Sequence, residues 1–113
     1  MTTTVPACPS WCTRPEPHGF SDYLTDGTPV RDHETAVGIV ARAPQMDNQG
    51  RPEERTVTVD LTTNELDTGS GYLREPVRVS VHGLDWDPDF TPDEARTLAR
   101  ILSQAADMAD ACN

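Results

Sequence analysis

Four residues in the first third of the sequence have the side chains and the spacing of a metal site. Cys8 and Cys12 are separated by three residues, His18 follows after five more, and His33 after a further fourteen. Zinc prefers thiolate sulfur and imidazole nitrogen in a tetrahedron, and two cysteines two to four residues apart can hold it from one tight turn. The sequence therefore predicts one structural zinc ion bound by Cys8, Cys12, His18 and His33.

The fourth ligand is the open point of this prediction. The gap between His18 and His33 exceeds the usual histidine spacing of zinc sites, so His82 or an aspartate is the alternative. Four protein ligands leave no position for an activated water, whereas a site without His33 leaves one open. The alternatives to a structural site are therefore a zinc-dependent hydrolase with an open fourth position and a zinc–thiolate redox switch, in which oxidation of the two cysteines ejects the metal.

Residues around the ligands are candidates for supporting roles. A histidine ligand usually donates its second ring N–H to a carboxylate, and Asp22, Asp32 and Glu34 are the nearest carboxylates in the sequence. Trp11 lies between the cysteines and is expected to shield the metal from water. Because tryptophan is enriched at interface hot spots, partner binding is the alternative role of Trp11.

The elements that position these ligands are predicted from hydrophobic periodicity. Three segments show the period-two alternation of strands with one polar face. Their apolar residues are Val37, Ile39 and Ala41, then Val57, Val59 and Leu61, then Val77, Val79 and Val81. The connections 44–54 and 63–76 contain glycine and proline and no helical pattern, so antiparallel pairing is the default.

One helix is predicted at the C-terminal end. Thr91 provides an N-cap, Pro92 occupies the first helical position and Glu94 completes a capping box. Apolar residues at helical spacing follow, namely Leu98, Leu102, Ala105, Ala109 and Cys112. The helix is expected to cover the apolar face of the sheet, and a homodimer through its small alanines is the alternative use.

These elements predict a single α+β domain over residues 1–113. Its parts are a zinc-stapled loop module (1–35), a three-stranded antiparallel sheet (36–83), and an acidic turn with the C-terminal helix packed on the sheet (84–113). Only 35% of the residues are hydrophobic, and a domain with so thin a core often needs a metal or a disulfide to fold.

The charge of the chain excludes several classes of partner. Nineteen acidic residues stand against nine arginines, with no lysine, which gives a net charge of −10. Because nucleic-acid binding depends on basic side chains that displace counterions, DNA or RNA is disfavoured as a ligand, as is an anionic membrane surface. No secretory signal is visible, so the expected location is the cytoplasm, where thiols stay reduced.

The sequence also resembles a known group of proteins. The opening Cys8-Pro9-Ser10-Trp11-Cys12, with His18 and His33, and the late Thr91-Pro92-Asp93-Glu94-Ala95-Arg96 helix resemble an uncharacterised family of small actinobacterial proteins. The resemblance implies that the two cysteines and the first histidine act together, and it implies no activity. Since no catalytic motif is present, the expected function is a non-enzymatic, zinc-binding module that interacts with another protein or regulates it.

Overall fold

An antiparallel sheet with one helix packed on it forms the fold. The structure is a computed structural model that describes residues 7–14, 18–84 and 88–113. Its elements are β1 (Asp22–Tyr23), β2 (Pro29–Met46), β3 (Pro52–Asp67), β4 (Tyr72–Arg74), β5 (Arg78–His82) and α1 (Pro92–Cys112). The predicted α+β class and C-terminal helix are confirmed, whereas the sheet has five strands and not three.

The two additional strands are short and flank the predicted ones. β1 pairs with the start of β2, and β4 pairs with the end of β3. β5 pairs with the middle of β3 on the same side as β4, so these two strands together line one edge of β3. Strands of two and three residues are too short to show an alternating pattern, so hydrophobic periodicity does not predict them.

The central hairpin of β2 and β3 is longer than predicted. β2 begins at Pro29, within the segment expected to be a loop, and β3 continues to Asp67. The hairpin turn is closed by the Asp47 side chain, whose Oδ1 accepts the N–H groups of Gln49 and Arg51 at 2.8 and 2.9 Å. Gly50 supplies the left-handed conformation in this turn, with φ of +77°.

A β-bulge changes which side chains of β2 face the core. The register of β2 against β3 shifts between Ala36 and Gly38. The predicted alternation through Val37 and Ile39 is therefore wrong beyond the bulge: Ile39 is 60% exposed, and Val40 is buried instead. One extra residue in a strand moves all later side chains to the opposite face, because the side-chain period is two.

The hydrophobic core lies between α1 and one face of the sheet, which we call the inner face. Val57, Val59 and Leu61 are fully buried there, as the alternation of β3 predicted. α1 covers Val59 and Leu61 with buried Ala105 and Ala109, and the partly buried Leu98, Ile101 and Leu102 pack against this cluster. Cys112, assigned to the same apolar stripe by its spacing, is exposed at the end of the helix.

Both ends of α1 are tied to the sheet by side chains. The predicted capping box is present, with Thr91 and Glu94 exchanging backbone-to-side-chain bonds of 2.9 and 3.1 Å. Glu94 also accepts the N–H of Ala43 on β2 at 2.8 Å. At the other end, the Asn113 amide pairs with the backbone of Val77 at 2.8 and 3.1 Å.

Most of the predicted acidic turn before α1, residues 85–87, lies outside the described residues. Within the described part of the chain, no helix combines the length and the apolar character needed to cross a bilayer.

Candidate metal centre

The inner face of the sheet becomes polar beyond the end of the helix. The buried row of β3 continues from Leu61 to Thr63 and Glu65, which are 1% and 2% exposed. Opposite them on β2 lie His33 and Arg31, paired in register with Thr63 and Glu65 respectively. Both β2 side chains are also buried. A group of charged and polar side chains is therefore buried at one end of the core, where each needs a partner.

The segment with the two cysteines folds over this polar end. The N–H of Cys12 donates to the carbonyl of Pro9 at 3.0 Å, which closes a tight turn between the cysteines. The next residue, Thr13, donates its N–H to the carbonyl of Glu34 on β2, also at 3.0 Å. Trp11 packs against the hydrophobic core cluster. The turn is thus held to the sheet by both backbone and side-chain contacts.

The four predicted ligands lie together. One ligand atom from each of Cys8, Cys12, His18 and His33 lies within 4.8 Å of all the others. The Nε2 atom of His18 is 3.2 Å from the sulfur of Cys8 and 3.7 Å from that of Cys12. Donors about 2.0–2.3 Å from a tetrahedral ion are about 3.3–3.8 Å apart, so these separations fit zinc. Neither cysteine forms a disulfide.

The two nitrogens of His33 have different surroundings. Nε2 is 2.7 Å from the Oε1 of Glu65. Nδ1 is buried and has no hydrogen-bond partner within the described residues. Because a buried polar atom without a partner is costly, this nitrogen is the one left to bind a metal.

The protonation states of His33 and Glu65 suit a metal site. Burial lowers the pKa of His33, although the hydrogen bond and negative charge of Glu65 partly oppose that shift. Burial by itself raises the pKa of Glu65, but the hydrogen bonds from His33 and Arg31 and the charge of Arg74 outweigh it and lower the pKa. A neutral imidazole beside an ionised carboxylate is the state in which histidine binds zinc.

Two arginines surround Glu65. Arg31 donates its Nε–H to Oε1 at 3.1 Å, with a second contact from Nη2, and Arg74 donates to Oε2 at 3.1 Å. Arg31 also donates to the carbonyl of His18 at 3.3 Å, and Arg74 to the carbonyl of Ala7 at 3.0 Å. The guanidinium of Arg31 lies 5.1 Å from the ring centre of Phe20. The carboxylate is thereby linked to the backbone on both sides of the cysteine turn.

The carboxylate that supports His33 differs from the ones predicted from the sequence. The carboxylate beside His33 is Glu65, not Asp22, Asp32 or Glu34. A signal for it was present, because Glu65 continues the alternation of inward-facing residues in β3, where an unpaired charge is not tolerated.

The candidate substitute ligand His82 lies elsewhere. It is on the opposite, outer face of the sheet, with its Nε2 atom 3.3 Å from the Oδ2 of Asp60. The cross-strand register brings His82 and Asp60 together, since β5 and β3 lie side by side.

Comparison with known proteins places the chain in a family but assigns it no activity. Searches of curated proteins and of solved structures find no match to this chain. A family model described as a domain of unknown function (DUF6907) matches residues 1–113. With the whole length matched, the chain belongs to this family.

Proposed function

We propose that this protein binds one structural zinc ion through Cys8, Cys12, His18 and His33. The observation that carries the proposal is the cluster of His33 with two thiols and a second imidazole, in which the buried Nδ1 of His33 has no hydrogen-bond partner in the described residues. Two thiolates and two imidazoles are a donor set that suits zinc better than magnesium or calcium, which take oxygen ligands.

The same arrangement favours a structural over a hydrolytic role. A zinc hydrolase needs a position for an activated water, and four protein ligands fill the tetrahedron. His33 fills the fourth position from a central strand, where its ring is fully buried. The ion would instead fasten the cysteine turn to the polar end of the sheet, where few apolar contacts are available to hold it.

Metal analysis tests the zinc site directly. Protein purified without added zinc should contain one zinc per chain, and Cys8→Ser or Cys12→Ser should lose it. Cys112→Ser is the matched control, because Cys112 is an exposed thiol at the end of α1 and should retain the metal. Retention of zinc in both Cys8→Ser and Cys12→Ser would overturn the proposal.

For the cellular role, we propose that the domain binds another protein through the outer face of the sheet. Thr58 of β3 pairs in register with Ile39 on one side and with His82 on the other, and both of these neighbours are exposed. Ile39, Thr58 and His82 thus offer a partner apolar and polar contacts side by side on one surface of the sheet. Trp11 suits protein contact less well, because its side chain packs against the core.

The charge of the chain indicates the kind of partner. A net charge of −10 repels phosphate backbones and speeds encounter with a basic protein. A cytoplasmic location, with reduced thiols, is part of this proposal. The alternative partner is a second copy of this chain, bound through α1. Analytical ultracentrifugation of the purified protein distinguishes such a homodimer from a monomer.

Capture experiments test the protein-binding role. A basic partner should be captured by the wild type at low salt, weaken with rising salt, and be lost with Ile39→Arg. Ala106→Arg, on the exposed side of α1, is the control for the added charge. Binding that is indifferent to Ile39→Arg would move the interface elsewhere. Chelator-sensitive hydrolysis in a substrate screen would favour an enzyme.

A further inference from the structure

We propose that Glu65 is a positioning residue that makes His33 bind the metal through Nδ1, while His18 binds through Nε2. This inference rests on the proposed zinc site and adds to it the identity of each ligand atom and the group that enforces it. Neither feature follows from the spacing of the ligands in the sequence.

The contact with Glu65 determines the tautomer of His33. A neutral imidazole carries one N–H, and the nitrogen that carries it cannot bind a metal. The Oε1 of Glu65, 2.7 Å from Nε2, accepts hydrogen bonds only, so it places the proton of His33 on Nε2. The lone pair of Nδ1 then points away from the carboxylate and is available to the ion.

The carboxylate of Glu65 is held in place by its neighbours. Each oxygen of Glu65 is held by a different arginine, Arg31 on Oε1 and Arg74 on Oε2. The Glu65 side chain is 2% exposed, so it has little room for another rotamer. Because two cations surround it, the carboxylate remains ionised in the interior and stays a pure acceptor.

His18 and the two cysteines form the opposite side of the site from His33. His18 presents Nε2 to both thiols, at 3.2 and 3.7 Å, and no strand carries it. Arg31 reaches the carbonyl of His18, and Arg74 reaches that of Ala7, next to Cys8. Glu65 therefore orients His33 directly and, through its two arginines, is linked to the backbone of His18 and of the residue before Cys8.

The ligand atoms can be read from wild-type protein. Long-range proton–nitrogen NMR spectra of the zinc-loaded chain should show a protonated Nε2 and a metal-bound Nδ1 for His33, with the reverse assignment for His18. His33 bound through Nε2 would overturn the inference while leaving the zinc site intact. No zinc-dependent shift at either histidine would instead contradict the proposed function.

A substitution tests the positioning role. Glu65→Gln keeps the shape but can offer His33 either an acceptor or a donor, so zinc affinity should fall about 10–100-fold in a chelator competition. In the metal-free variant, His33 should populate both tautomers, whereas the metal-free wild type should keep one. Glu53→Gln, an identical charge change on the exposed hairpin, should alter neither readout.

The outcomes of the substitution are decisive in either case. A folded Glu65→Gln variant with unchanged zinc affinity and a single His33 tautomer would show that Glu65 does not position the ligand. If this variant does not fold, the wild-type spectra decide, because the inference requires Nδ1 coordination at His33 and Nε2 coordination at His18.

Discussion

At the residue scale, the proposed metal site depends on a buried histidine nitrogen that remains available to bind a metal ion. Burial commonly forces polar atoms into hydrogen bonds, and both nitrogens of an interior histidine normally find partners. His33 departs from this rule, since Glu65 contacts one nitrogen and no described residue contacts the other. A metal ion would satisfy the second nitrogen and remove the cost of leaving it without a partner.

Replacing His33 with alanine tests this reasoning. His33→Ala removes a ligand and also leaves Glu65 without one of its donors, so zinc affinity should fall by more than about 100-fold, beyond the loss typical of a supporting contact. Chelator competition measures the change. His82→Ala is the control, because His82 lies on the outer face beside Asp60 and should leave the affinity unchanged. Tight binding retained in His33→Ala would mean that another residue completes the site.

At the element scale, the packing of α1 on β2 depends on the absence of a side chain at the bulge. A Cβ atom at Gly38 would lie 2.9 Å from both Cδ1 and Cγ2 of Ile101. These atoms belong to a branched side chain that packs against the core cluster and cannot turn away without disturbing its neighbours. The bulge and the glycine together therefore let the helix approach the strand.

A double-mutant cycle measures this contact. Gly38→Ala should lower the free energy of unfolding by about 1–3 kcal/mol, the usual cost of overpacking. In an Ile101→Ala background, where the clashing atoms are gone, the same substitution should have little effect. Denaturant unfolding of the four proteins gives the coupling energy. An equal cost in both backgrounds would place the strain elsewhere.

The link between the N-terminus of α1 and β2 should make stability depend on pH. Hydrogen bonds from the backbone N–H groups of Thr91 and Ala43 lower the pKa of Glu94. A lowered folded-state pKa means that the stabilisation is complete above the ordinary glutamate pKa, about 4.3, and is lost as the pH falls through the lowered value.

Glu94→Gln isolates this contribution. The difference in the free energy of unfolding between wild type and variant should be constant near neutral pH and should shrink in acid. Loss of metal in acid affects both proteins equally and cancels in the difference. A gap between wild type and Glu94→Gln that widens as the pH falls would contradict the assignment.

At the scale of the whole molecule, two kinds of interaction hold other elements on the inner face of the sheet. Apolar contacts join α1 to the hydrophobic core, and polar contacts with the proposed ion join the cysteine turn to the polar end of this face. The strands pair with one another independently of the turn. The sheet and helix therefore have their own interface, whereas the turn is held by the proposed ligands, by Trp11 and by a few hydrogen bonds to the sheet.

Chelation should accordingly affect one part of the chain more than the rest. Amide hydrogen exchange after zinc removal should rise first around Cys8, Cys12 and His18, while β2, β3 and α1 keep most of their protection. His33 should follow the sheet rather than the turn, because it lies within β2. A uniform loss of protection would show that the ion holds the entire core.

Much of the fold follows from local patterns that the sequence carries alone. The period-two alternation of Val57, Val59 and Leu61 is confirmed as a buried strand, and the capping box at Thr91 is confirmed as the start of the helix. Such features depend on neighbours within a few residues, so they can be recognised without knowing the fold. The spacing of the cysteines and histidines likewise sufficed to name four side chains that the structure brings together.

Only the tertiary structure decided how those four side chains are supported. Glu65 is thirty-two residues from His33 in sequence and meets it because β2 and β3 pair in one register. The bulge between Ala36 and Gly38 allows β2 to bury both His33 and Val40, and a shift of the pairing by one residue before the bulge would turn His33 to the outer face. The burial of His33 beside Glu65 therefore depends on strand pairing, which is a long-range property that residue spacing does not encode.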